Sequence, residues 1–375
     1  MRWRLLPLAA ALLLACVPTQ AAPAPSPTPI AISSSTRSEL EAVLVQRSGA
    51  LAGKDLKAFQ QTIDLTRLAF RRCENETFDI ASRNGVEAAQ QRIVLVEPYG
   101  TTYVRAYLEE GRLGVRRVYF RREADRWILT QPKIDELGAE ITREIYGVKM
   151  QYWAVDEDII EFMAREAAAT REYVKRQARG ELRDPYAVKV FPTNESAGIA
   201  GCHTIAFSRN RQAQEPLIGF YHLWLEPSLK RVSDYTSEVF QHEGLHYVQD
   251  QFSPGILFRL DWWLIEGWPD YTAGTRSRTA IKAAVCARDV PPLKRLIDGV
   301  PTEPDTPPEL SGRYYALANS LTEYVVRTYG TDAYWDLVAL YKEDPNYRLT
   351  YPKVFKVSPD AFYEAWLSFA RARYC

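Results

Sequence analysis

Residues 242–246 read His-Glu-Gly-Leu-His, and no other feature restricts how this chain can fold as tightly. On an α-helix, side chains four residues apart point the same way, so His242 and His246 can offer their imidazoles to one metal ion. Glu243 then stands beside that ion, where it can take a proton from water. Zinc suits the pattern, because it accepts imidazole nitrogen, prefers four-coordination and keeps an open position in catalytic sites. The flanking residues predict the helix that the motif requires, over 234–251. Ser233 or Asp234 serves as N-cap, and Val239, Phe240, Tyr247 and Val248 are its packing residues. Gly244 costs about 1 kcal/mol relative to Ala in a helix interior, and a residue that small allows close packing.

A catalytic zinc needs a third protein ligand. Twenty residues after His246, within Trp262-Trp263-Leu264-Ile265-Glu266-Gly267-Trp268-Pro269-Asp270-Tyr271, stands Glu266. That is the distance at which gluzincin metallopeptidases carry a glutamate ligand on a second helix, and Glu266/Asp270 is similar to the ExxxD of thermolysin-like enzymes. The order of a strand, the HExxH helix and Trp-Leu-x-Glu-Gly-x-x-x-Tyr is followed by Tyr315-Ala316-Leu317-Ala318-Asn319-Ser320-Leu321 and Tyr329-Gly330. This order resembles the peptidase MA-like family of gluzincins, and Phe362-Tyr363-Glu364-Ala365-Trp366 fits that family's C-terminal helix. The resemblance runs from about residue 140 to the end. It departs at Pro269, where the family usually has a small helix former; proline is acceptable in a first helical turn.

The resemblance implies one zinc ion held by His242, His246 and Glu266, with Asp270 bracing a ligand histidine. It implies a metallopeptidase, an endopeptidase on protein or peptide substrates, working by Glu243-assisted attack of zinc-bound water. The oxyanion needs a donor, which gluzincins supply as Tyr or His from downstream. His203 and His222 lie upstream of the motif, so Tyr315 is the choice, with Tyr314 second. A strand over 219–225 is expected at a sheet edge, where an extended substrate would pair with it. Two other readings share these residues: a non-catalytic zinc-containing envelope binding protein, and a zinc hydrolase of a non-peptide amide. Glu243 favours catalysis, since a purely structural site has no need of an acid there.

The N-terminus reads as an address. Arg2 and Arg4 precede an apolar run to Ala15, too short to span a bilayer, so 1–15 is expected to be a signal peptide. Leu13-Leu14-Ala15-Cys16 resembles a bacterial lipobox, which implies lipidation of Cys16; cleavage near Ala21 or Ala22 is the alternative. A Pro-rich tether over 16–36 follows. The expected location is extracytoplasmic, as a lipoprotein on a bacterial cell surface or as a secreted protein. Membrane contact is expected only through the lipid. Forty-seven basic residues balance forty-seven acidic ones, which argues against a nucleic-acid partner. Cys73, Cys202, Cys286 and Cys375 permit three full pairings.

The expected fold class is α+β. Apolar residues recur at helical spacing over 38–72, with a break between Gly49 and Gly53. Period-two runs at 92–96, 102–108, 114–120 and 126–129 predict an antiparallel meander. Helices followed by such a meander resemble the NTF2-like cone, assigned to 37–137. Residues 138–375 are assigned to a zincin-like gluzincin domain with a small mixed sheet, the motif helix and a mostly helical C-terminal half. Its first strand is expected over 144–152, and its long helix over 156–179 carries the spaced pairs Glu161/Arg165 and Glu172/Arg176.

Overall fold

The computed structural model describes residues 32–84, 91–110, 114–179, 182, 184–198, 202, 206–209, 217–220, 223–226, 230–252, 255–274, 276–300 and 308–375. The signal segment 1–15, Cys16, most of the tether, His203 and His222 lie outside the described residues.

Ser33 opens the first helix by accepting a hydrogen bond from the Thr36 amide at 3.1 Å, as an N-cap should. Helices α1 (Ser34–Ala52), α2 (Leu56–Gln60) and α3 (Leu68–Asn84) follow. Gly49 stays helical and the chain breaks only at Gly53. These helices bury Leu40, Leu44, Phe59 and Phe78 against one face of the meander β1 (Arg92–Tyr99), β2 (Tyr103–Glu109), β3 (Val115–Glu123) and β4 (Arg126–Thr130). Alternation places Val104, Ala106 and Leu108 on that face, and Tyr103, Arg105 and Tyr107 on the other. The second face is covered too, by the start of the next segment, where Arg117 pairs with the fully buried Asp156.

The strand expected over 144–152 is a hairpin, β5 (Glu140–Ile145) and β6 (Val148–Trp153). Tyr146 and Gly147 turn it with φ of 51° and 71°, the left-handed pair that matches strand twist and for which glycine is well suited. Helix α4 (Ile160–Lys175) leads to β7 (Ala187–Val190), α5 (Asn194–Ala197), β8 (Ala206–Arg209), β9 (Leu217–Phe220), β10 (Leu225–Glu226) and β11 (Arg231–Val232). On α4 the expected four-residue pairs do not form: Glu161 accepts from Tyr146, and Glu172 pairs with Lys175 at 2.9 Å.

The second sheet runs β5-β6-β7-β9-β8, with β6, β7 and β9 parallel and β8 antiparallel at the edge. The edge strand expected over 219–225 is therefore corrected. Residues 218–220 are buried on both faces and sit between β7 and β8, as an apolar stretch without alternation should. The chain then leaves this sheet, and Leu225 pairs with Val115 of β3, so the β10–β11 hairpin extends the first sheet beside β4.

The remainder is helical: α6 (Asp234–Phe252), α7 (Trp262–Ala273), α8 (Arg278–Val285), α9 (Leu293–Asp298), α10 (Pro308–Tyr329), α11 (Thr331–Glu343), α12 (Tyr347–Phe355) and α13 (Pro359–Tyr374). Together with the second sheet they enclose the larger apolar core. Disulfides join Cys73 to Cys202 and Cys286 to Cys375, one of the three pairings open to the sequence. The described chain is thus a mixed α+β structure with one antiparallel and one mixed sheet. No described helix is long and apolar enough to cross a membrane.

Candidate metal centre

Helix α6 is anchored before it reaches the motif. Ser233 Oγ accepts from the Thr236 amide at 3.3 Å, and the Thr236 hydroxyl donates to the Trp224 carbonyl at 2.9 Å. From Glu243 to Gln251 every residue of α6 is buried, polar ones included. Buried polar side chains are the informative kind, because burial without partners is costly. Gly244 lets this stretch enter the interior. A Cβ there would lie 2.9–3.0 Å from Thr170 Cγ2, Val174 Cγ1 and the Tyr186 hydroxyl.

Helix α7 brings the carboxylates. It starts at Trp262, so Glu266 lies in its second turn and Pro269 in its interior, not in a first turn as the sequence suggested. Proline has no N–H for the Ile265 carbonyl. That carbonyl instead accepts from Gln249 Nε2 at 3.1 Å, so the helix continues. Gly267 allows α7 to touch α10: a Cβ would come within 2.5 Å of the Ala318 carbonyl and the Thr322 hydroxyl.

Between these helices three side chains meet. His242 Nε2 and His246 Nε2 are 3.1 Å apart, and Glu266 Oε2 lies 3.4 Å from each. Glu266 Oε2 is buried and has no hydrogen-bond partner. A tetrahedral ion with bonds of about 2.0–2.1 Å sets its ligand atoms about 3.3–3.4 Å apart, so the triangle has the size that zinc requires. The donor set, two imidazoles and one carboxylate, suits zinc as well.

The far sides of both rings are fixed. His242 Nδ1 is 3.1 Å from Asp270 Oδ1, and Asp270, 1% exposed, takes Arg276 Nε on its other oxygen at 2.6 Å. His246 Nδ1 is 2.9 Å from Gln249 Oε1. Both partners accept, so each Nδ1 carries a proton and each neutral ring turns the lone pair of Nε2 inward. Two lone pairs at that separation call for a cation or a proton between them.

The metal-free electrostatics follow. Burial opposes charge on His242, but Asp270 and Glu266 outweigh it and push its pKa up to about 10. His246 is raised against the same burial, mainly by Glu266. Burial favours the neutral form of Glu266, yet the two histidines hold it well below the usual carboxylate range. Glu243 is buried, and its charge acts on both rings and on Tyr315. Tyr315 stands beside Trp262, ring centroids 5.0 Å apart, under the Arg276 guanidinium at 4.7 Å. Burial, then the charges of Glu266, Asp270 and Glu243, keep its hydroxyl protonated. Tyr314, the second choice, is buried in the large core.

Thus His242, Glu243, His246, Glu266, Asp270 and Tyr315 come together. Gln249 and Arg276 join them unforeseen. Gln249 carried a readable signal, a polar residue one turn after His246 on the same helix face; Arg276 carried none. The cavity of about 570 Å³ lies elsewhere, between the N-terminal helices and meander on one side and residues 190–194 and 223–224 on the other. None of the triad lines it; of its charged walls, Arg47 pairs with Glu74 and Arg116 with Glu110, while Arg117 pairs with Asp156, which does not line it. No family model, no curated protein and no solved structure matches the chain.

Proposed function

We propose that this protein is a zinc-dependent metallopeptidase that cleaves protein or peptide substrates. The observation that carries the reading is the meeting of His242 Nε2, His246 Nε2 and Glu266 Oε2 at 3.1–3.4 Å, with both rings held from behind. His242, His246 and Glu266 would hold the ion. Zinc there supplies a Lewis acid that polarises a carbonyl and makes water a stronger acid. Glu243 takes the proton from the attacking water and hands it to the leaving amine. Tyr315, its hydroxyl protonated, donates to the oxyanion. Asp270, itself gripped by Arg276, keeps His242 in the tautomer that faces the ion. Among the described residues β8 is the last strand of its sheet, and its outer edge offers backbone groups to an extended substrate.

The same proposal takes 37–137 as an NTF2-like cone and 138–375 as a zincin-like domain of the peptidase MA-like kind. It places the protein outside the cytoplasm, anchored through Cys16 or secreted, and the two disulfides suit an oxidising compartment. The test is cleavage of casein and of a peptide library, with zinc content measured alongside, for wild type and Glu243→Gln. Glu243→Gln should keep its zinc and lose about 10²–10⁴-fold in kcat. Equal cleavage by both proteins removes Glu243 from the mechanism. Zinc bound by a wild type that cleaves nothing contradicts the peptidase and favours the binding protein.

A further inference from the structure

We propose that Gln249 is the positioning residue for the second histidine ligand, and that Pro269 creates the acceptor that holds it in place. This rests on reading His242, His246 and Glu266 as a metal site.

Gln249 follows His246 by three residues, nearly one turn of α6, and is 0% exposed. Both ends of its amide are engaged. Oε1 is 2.9 Å from His246 Nδ1; Nε2 is 2.9 Å from the Leu264 carbonyl, 3.1 Å from the Ile265 carbonyl and 2.6 Å from the Tyr334 hydroxyl. Carbonyls only accept, so the NH₂ end must face α7. That leaves Oε1 toward His246, makes Nδ1 the donor, and leaves the Nε2 lone pair for the ion.

Pro269 supplies the other half. In a regular helix the N–H of residue 269 would occupy the Ile265 carbonyl; proline has none, and a buried carbonyl without a partner costs about 1–3 kcal/mol. Gln249 reaches across from α6 and fills that gap. Ile265 immediately precedes Glu266, so this amide ties the backbone beside the third ligand to the helix carrying the first two. Tyr334 of α11 closes the arrangement. It donates to the Leu264 carbonyl at 3.1 Å while its ring stacks on Trp268, centroids 4.4 Å apart.

Two variants separate positioning from mere packing. Gln249→Leu removes both arms of the amide. Gln249→Glu retains an oxygen that accepts from Nδ1 and gives up the N–H groups that face α7. Zinc affinity is measured by chelator competition on the full folded chain, with thermal unfolding recorded alongside. Gln249→Leu should bind zinc about 10–100-fold more weakly, while Gln249→Glu recovers most of that loss although both unfold at lower temperature. Wild-type affinity in Gln249→Leu overturns the proposal, as does equal loss in both variants, which is what simple loosening of the core would give. If Gln249→Leu does not fold, zinc-loaded wild type decides by ¹⁵N NMR. His246 should show a slowly exchanging Nδ1–H with the metal on Nε2; metal on Nδ1 overturns the proposal. A wild type that takes up no zinc sinks the metal site itself, a failure distinct from the others.

Discussion

At the residue scale, the centre is a set of groups that need something positive between them. In the metal-free protein a proton serves. His242 has its pKa raised from 6.5 to about 10, so the folded chain binds that proton more tightly than the unfolded chain does. Its contribution to stability is complete below about pH 6.5 and is lost as the pH rises toward 10. Urea midpoints of the metal-free protein should therefore fall between pH 7 and pH 10, and zinc should flatten that fall by taking the proton's place. A metal-free midpoint constant across that range would contradict the account. Of the groups that meet here, His242, Glu243 and His246 were legible from their spacing, and Glu266 and Asp270 from the resemblance to gluzincins. Arg276 was not, because its partner Asp270 is met only after the chain has turned at the end of α7.

At the element scale, two glycines without side chains set how closely helices approach, and a third shows what glycine costs where nothing is near. Alanine at 244 would gain about 1 kcal/mol of helix propensity but would press on α4 and Tyr186, and overpacking of this kind costs about 1–3 kcal/mol. Overpacking should win. Gly244→Ala is expected to lower the unfolding temperature, and Gly267→Ala to lower it further, since backbone and not a flexible tip stands in the way. Gly49 in α1 has no atom within 4 Å of an added Cβ, so Gly49→Ala should stabilise by about 0.5–1 kcal/mol. Thermal unfolding of the three variants checks the order; a stabilised Gly244→Ala would contradict the packing. Long periodic elements such as α4, α6 and the meander could be read from sequence within a few residues at most of their ends. The stretch from 217 to 232 could not, because strands of two to four residues take their partners from two different sheets. The start of α7 was missed because Pro269 suggested a boundary, whereas Gln249, on another helix, donates to the carbonyl that the proline leaves without its helical partner.

At the scale of the whole molecule, the two apolar cores are not independent bodies. The β10–β11 hairpin completes the first sheet, Arg117 and Asp156 form a buried pair, and Cys73–Cys202 is a covalent tie. That connection was beyond the sequence, which offered three disulfide pairings and no sign that a hairpin at 225–232 belongs with β3. Everything proposed for the protein depends on an ion held between His242, His246 and Glu266. Its test is a zinc titration of the metal-stripped full chain, wild type beside Glu266→Ala. One zinc per chain should bind tightly to wild type, and Glu266→Ala should remain folded and lose that tight binding. Equal zinc uptake by the two proteins, or none by wild type, would contradict the account.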